Sequence, residues 1–210
     1  MSSQIVMTIS TQPGCGGVEI GQRLARRTSA SYVDKKAVAN AARGLDTVLK
    51  DSDNAKVGGR FWELLGQTPI LSHTEFYIPE MRSIVSDAPV HENEEDILLE
   101  LVGKKTSVVV GRGGFHRFRN YPNLVKIFIS GDMDYRLENY MRFYELCRED
   151  AEGLLRTTDR ATERYIQKVT GKDMLDIRNY DISFNVSKID FNVVVDLVID
   201  YIHHRFGIAL

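Results

Sequence analysis

Gly14, Gly16 and Gly17 fall inside the run QIVMTISTQPGCGGVEIG, residues 4–21, where an apolar, strand-like segment feeds a glycine cluster that opens into a helix-like pattern. Amides exposed in such a turn converge on an anion, and the first turn of the helix adds the positive end of its dipole. The expected anion site covers Gly14, Cys15, Gly16, Gly17, Val18 and Glu19. Against the template G-x-x-x-x-G-K-[ST], Gly16 fits, but Thr11 stands at the first glycine position, Gly17 at the lysine and Val18 at the hydroxyl. Three readings stay open at this point. One is a plain strand-to-helix connection. Another is a dinucleotide site, with Asp34 as the ribose-binding acid, against which Glu19 stands at the third glycine position of G-x-G-x-x-G. The third is a nucleoside triphosphate loop, favoured by the arginines elsewhere in the chain.

Arg112, in Gly111-Arg112-Gly113-Gly114, follows the apolar run 108–110 and is expected at the carboxyl edge of a parallel strand, where ligands bind in open α/β sheets. A guanidinium there can grip a phosphate with two parallel hydrogen bonds; the competing reading pairs it with a neighbouring acid. Arg156, Arg160 and Arg164 are four apart, so a helix stacks them along one face. Such a row could stabilise a phosphoryl group in transfer, or lie in solvent neutralised by Asp159 and Glu163. Arg178 is a further candidate. Cys15, inside the anion turn, would have a lowered thiol pKa if helix dipole and amides reach it; the favoured reading is simply a small residue that the loop tolerates. No metal site is expected: His203 and His204 are adjacent on a helix and face different ways, and His73, His91 and His116 are isolated.

The elements that must position these residues read as α/β. Strand-like runs occupy 4–10, 31–34, 106–111 and 124–129, with a weaker one at 182–186; their continuous apolar character suits strands buried on both faces of a parallel sheet. Helical patterns cover 18–27, 94–102, 132–147 and 192–206, the last with Asp190 as a cap. The excursion at 45–89, between the second and third strands, is of the kind that covers a ligand site. With 210 residues and 43% hydrophobic content, the chain can bury a substantial core. A net charge of -2 gives no global pull toward nucleic acid or anionic membrane, and no apolar stretch is long enough to span a bilayer. A cytoplasmic protein with two reduced thiols, Cys15 and Cys147, is expected. Oligomeric state is not readable.

In its ordered blocks the chain resembles the cytidylate kinase-like branch of the nucleoside monophosphate kinases. These blocks are residues 10–21, Tyr32-Val33-Asp34, Val110-Gly111-Arg112-Gly113, Asp159-Arg160 with Arg164 and Tyr165, Thr170-Gly171, and Tyr180-Asp181 with Asn185 and Ser187. The resemblance implies a three-layer P-loop fold with a five-stranded parallel sheet, an inserted monophosphate-binding region at about 45–90, and an arginine-bearing lid at 149–178, all in one domain over 1–210. It implies ATP and Mg2+, with nucleotides as partners and transfer of a phosphoryl group to a nucleoside monophosphate or another small acceptor. The glycine loop would contact the donor. Arg112, Asp34 and Arg156 would bind the acceptor, and Arg112, Arg160 and Arg164 would serve catalysis. The departures at Gly17 and Val18, Val110 in place of an acid, and the run Lys35 to Asn40 without the family's arginine leave a second reading: a non-catalytic nucleotide sensor or interaction module.

Overall fold

A computed structural model describes residues 4–41 and 91–208, with the side chains of 91–93 excepted; the expected insertion at 45–90 lies outside the described residues. Five strands form one parallel sheet: β1 (Val6–Thr11), β2 (Ser31–Val33), β3 (Ser107–Val110), β4 (Leu124–Ser130) and β5 (Ile182–Asn185). Their spatial order is β2-β3-β1-β4-β5. β1 is the middle strand, in register with β3 from Val6↔Ser107 to Ile9↔Val110 and with β4 from Val6↔Leu124 to Thr11↔Ile129. Placing β3 between β1 and β2 departs from the dinucleotide-binding order, in which β2 lies beside β1, so the dinucleotide reading loses its frame.

The alternation of side chains along β1 divides the core. Met7 and Ile9, with Val108, Val110, Ile127 and Ile129, pack against α1 (Gly17–Arg27) and the last helix, whose Val194, Val195, Val198 and Ile202 are buried. On the opposite face Val6, with Val33, Val109 and Leu124, meets Leu98 and Val102 of α2 (His91–Val102) and Phe118 beyond the short α3 (Gly114–Arg117). Thr8, on that same face, satisfies its buried hydroxyl by donating to the Val125 carbonyl at 3.3 Å. Sandwiched thus between helical layers, the strands need no polar face, which is why they read as continuous apolar runs.

Several boundaries differ from the sequence reading for local reasons. Asp34 ends β2 as a cap, its Oδ1 accepting from the Ala37 amide at 2.9 Å ahead of the helical residues 35–41. The expected helix at 132–147 is shorter, because Asp132 is the N-cap of α4 (Met133–Tyr144) and Glu145 closes it in the left-handed region at φ 53. α5 (Arg148–Thr170) is one continuous 23-residue helix ended by Gly171, and α6 (Phe191–Phe206) is capped by Asp190, whose carboxylate accepts from the Asn192 amide. None of the helices among the described residues is long and apolar enough to cross a membrane.

Gly21 is required where α1 crosses the sheet: a β-carbon there would sit 2.5 Å from Val110 Cγ2 and 3.3 Å from the Tyr32 ring. Gly21→Ala is therefore expected to lower stability by about 1–3 kcal/mol in urea denaturation. Part of that loss should return in the Gly21→Ala/Val110→Ala pair; an unchanged midpoint for the single variant would refute the contact.

Candidate functional site

All five strands point their carboxyl ends to one edge, and the residues with chemistry gather there. β1 leads into a turn in which Gly14 and Gly16 adopt φ 85 and φ 70, values that favour glycine. The Cys15 amide donates to the Gln12 carbonyl at 3.2 Å and closes the turn. α4 braces it from the side: a β-carbon on Gly14 would meet the Arg136 carbonyl at 3.0 Å, and Asn139 Nδ2 donates to the Gly14 carbonyl at 2.8 Å. Gly16 is the N-cap of α1 and receives no side-chain cap. Among the described residues, the amides of Gly16, Gly17, Val18 and Glu19 donate to no protein acceptor, so the start of α1 offers a set of outward donors at its positive end. Cys15 itself serves the turn and not the cradle. Its side chain is buried, 3.0 Å from where a β-carbon on Gly131 would lie.

Of the two readings of Cys15, the activated thiol is ruled against by this burial, which pushes the thiol up to about 12; the Arg136 guanidinium works in the other direction but does not prevail.

Thr11 and Gly17 form a reciprocal pair. A β-carbon on Gly17 would stand 2.6 Å from Thr11 Cβ and 2.7 Å from its hydroxyl. The side chain gained at the template's first glycine thus fills the space that a side chain at its lysine would need. The two departures seen in the sequence are one packing change.

Arg112 lies at the carboxyl edge of β3, in the left-handed region at φ 56. Its Nε and Nη2 both meet Glu94 Oε1, and its guanidinium lies 4.3 Å from the centre of the Tyr165 ring. Glu94, on α2, has no solvent exposure. The other oxygen of its carboxylate accepts from Tyr165 Oη at 3.1 Å and faces Arg117 Nη2 at 3.5 Å. Lys35 is near enough that, after burial, the Arg112 charge is the next cause lowering its pKa. The arginine is therefore paired with an acid, as the competing reading held, though the acid is remote in sequence.

α5 reaches this edge through two residues: Asp159 Oδ2 accepts from Arg136 Nη2 at 2.5 Å, and Tyr165 donates to Glu94. Arg160 and Arg164 are their immediate neighbours in sequence, and both are exposed. Arg164 Nε donates to the Arg160 carbonyl at 3.1 Å, whereas Arg156 is closed on Glu152 at 2.7 Å, one turn before it. Arg178 is closed on Asp176. Arg23 is held by Glu19 and donates to Asn192 Oδ1 at 2.7 Å, which draws the Glu19 side chain along α1.

Four contributors were missed by the sequence reading. Glu94 was read only as the start of a helical pattern, Thr11 only as a gap in a motif, and Arg117 and Arg136 were not singled out. Each pairing spans 6 to 23 residues or a change of element, distances over which spacing carries no signal.

At the template's hydroxyl position Val18 has no side-chain oxygen for magnesium, and no group of three or more His, Cys, Asp or Glu that could hold a metal occurs among the described residues.

The family model for the cytidylate kinase-like family matches residues 6–188. No curated protein matches the sequence. Among solved structures, an uncharacterized protein from Eubacterium ventriosum superposes with a TM-score of 0.71 at 19% identity, covering 96% of this chain and 100% of that one. A gluconokinase from Sinorhizobium meliloti gives 0.52 at 11% identity, covering 97% and 94%, and a shikimate kinase from Bacteroides thetaiotaomicron 0.50 at 12%, covering 95% and 98%. These likenesses carry the P-loop kinase fold.

Two outcomes follow from the loop. Gly17→Ala should destabilise the protein by about 1–3 kcal/mol, and the Thr11→Gly/Gly17→Ala pair should show a coupling of similar size in a double-mutant cycle; additive effects would dissolve the reciprocal pair. A thiol reagent at pH 8 should label exposed Cys147 and spare Cys15 until the protein is unfolded, read by intact mass; two rapid equivalents in the native state would contradict the buried thiol.

Proposed function

Since the chain belongs to the cytidylate kinase-like family, we propose that it binds ATP at the glycine loop and transfers the γ-phosphoryl group to a nucleoside monophosphate or another small acceptor. The single observation that carries this reading is the set of unclaimed amides at Gly16 to Glu19, at the carboxyl edge of the sheet that also bears Arg112. In this reading the amides hold the donor phosphates, and Arg112 with Asp34 faces the acceptor. An acceptor oxygen forms the new bond to the γ-phosphorus while the bond to the β–γ bridging oxygen breaks, leaving ADP. Arg160 and Arg164, exposed on α5, supply charge to the oxygens in transit, and stabilising that charge is most of what a protein contributes to this reaction. Arg156, held by Glu152, has a weaker claim. Arg136, whose main chain touches Gly14 and whose guanidinium is held by Asp159, is a cation beside the loop where a lysine is missing.

A second reading has its own observation. Thr11 closes the lysine position, and Val18 withholds a magnesium ligand, so the loop is compatible with a nucleotide sensor that binds without turning over.

Titration calorimetry with ATP, beside a turnover assay over nucleoside monophosphates and small hydroxy acids, separates the two. For a kinase, Arg160→Ala and Arg164→Ala should each cut turnover on the order of a hundredfold or more while ATP affinity and melting temperature stay put, since both side chains are exposed. ATP binding with no turnover by the wild type selects the sensor. Failure to bind ATP at all removes both.

A further inference from the structure

The amino-terminal edge of the sheet, opposite the glycine loop, holds a separate cavity of about 190 Å3. It opens where β4 and β5 begin and α6 ends. The register pairs Ile127 with Ile182, so Lys126 and Asp181 stand side by side at this edge, and Arg205 reaches them from the last turn of α6. Arg119, just beyond α3, supplies the fourth charge. The rings of Phe115 and Tyr121 give the cavity an apolar wall; Phe115 is held against Tyr180 at 5.2 Å between ring centres, and Tyr121 meets Phe118 edge-on at 5.3 Å.

Three cations thus share the cavity with one carboxylate, in a chain whose formal net charge is -2. That carboxylate is already engaged. Asp181 Oδ2 accepts from the Lys126 amide at 2.9 Å and faces Arg205 Nη1 at 3.2 Å, while Oδ1 faces Lys126 Nζ at 3.9 Å. Among the described residues, Arg119 donates from Nη1 to the His116 carbonyl at 3.0 Å and pairs with no acid. Acids on neighbouring elements are taken up elsewhere: Glu95 faces Arg117, Asp176 is closed on Arg178, and Asp173 accepts from the Leu175 amide. Around His116, which flanks this corner, Glu95 is outnumbered by Arg119, Lys172 and Arg117. Arg119 and Arg205 are exposed and Lys126 keeps 28% of its side chain in solvent, so all three cations are reachable from water.

We propose that this cavity binds a compact phosphate monoester, with Arg119, Lys126 and Arg205 around its phosphate group and the Phe115 and Tyr121 rings against the rest of the molecule. The charge selects the group. A phosphate brings nearly two negative charges and three terminal oxygens to three cations, whereas a carboxylate would leave the excess standing. Each guanidinium can give such a group two parallel hydrogen bonds, and the ammonium adds a point charge. The size and the wall select the body. Sites for drug-sized ligands run to roughly 300–1,000 Å3, so this cavity suits a smaller molecule, and its two rings favour an apolar one. The site rests neither on the glycine loop nor on the reaction proposed there.

The test is titration of phenyl phosphate and of inorganic phosphate into the full chain at constant ionic strength, read by calorimetry and by the rise in melting temperature. Phenyl phosphate should bind several-fold more tightly than inorganic phosphate; equal affinity overturns the monoester assignment. Arg119→Gln and Arg205→Gln should each weaken phenyl phosphate roughly tenfold, and Arg119→Lys by less than Arg119→Gln, since it keeps the charge and loses only the planar fork. Both arginines are exposed, so without ligand the variants should melt near the wild type. Arg26→Gln removes one charge from an exposed position on α1, remote from the cavity, and should leave the affinity unchanged. Equal weakening by Arg26→Gln reveals diffuse attraction to the surface, and indifference to both cavity substitutions places the anion elsewhere, as on the glycine loop; either overturns the site. So does a wild type that binds neither probe. A wild type that takes phenyl phosphate in this manner but not ATP keeps the cavity and sinks the nucleotide reading; the converse does the reverse.

Discussion

A carboxylate wholly removed from water has to be met by donors on every side, and Glu94 imposes that requirement on four separate pieces of the chain. It belongs to α2, takes Arg112 from the turn after β3, faces Arg117 from α3, and receives Tyr165 from α5. None of these elements can shift without uncovering a buried charge. The left-handed backbone at Arg112 makes sense in this light: a non-glycine residue at φ 56 is disfavoured, and its side chain is what the buried carboxylate demands. The Arg112 side of the sheet edge is thereby fixed by electrostatics, whereas the loop side is fixed by contact: the close approaches at Gly14, Gly16 and Gly17 leave no volume for alternatives.

What the sequence made legible is the part governed by short-range rules. Apolar runs located all five strands to within a few residues, because strands covered on both faces need no alternation. The strand-glycine-helix succession located the loop, and the apolar run before Gly111 put Arg112 at the correct edge. Capping explains the small errors: Asp34 and Asp132 were assigned to the elements they flank, when each ends one run and opens a helix. Long-range pairing was beyond reach. Glu94 and Arg112 are 18 residues apart on different elements, and Arg136 and Asp159 are 23 apart on different helices. Cys15 shows the converse limit. Its place in the loop suggested activation, but the direction its side chain takes, inward toward Gly131, is decided by tertiary packing and reverses the pKa shift.

The match between Thr11 and Gly17 bears on how a phosphate loop can lose its lysine. Template positions that look like independent gaps are coupled by a 2.6 Å approach, so a side chain at Gly17 is sterically blocked while Thr11 keeps its own. Amides remain available regardless of side chain, since donors at a helix start come from the backbone. Outward backbone donors and lysine chemistry are thus separable in this loop, and the first does not require the second.

The same separation gives α5 its importance. The helix is fastened at Asp159 and again at Tyr165, six residues apart, which amounts to roughly 9 Å along the axis and about 240° around it. Two anchors at different azimuths fix rotation as well as position; a single anchor, or two on one face, would leave the helix free to roll. Arg160 follows the first anchor and Arg164 precedes the second, so the directions in which they leave the helix are set by an ion pair and a hydrogen bond that they do not join. Both are therefore exposed without being free to reorient with the backbone. A helix whose roll is locked by Arg136 on one side and Glu94 on the other thereby fixes where two exposed arginines leave its backbone.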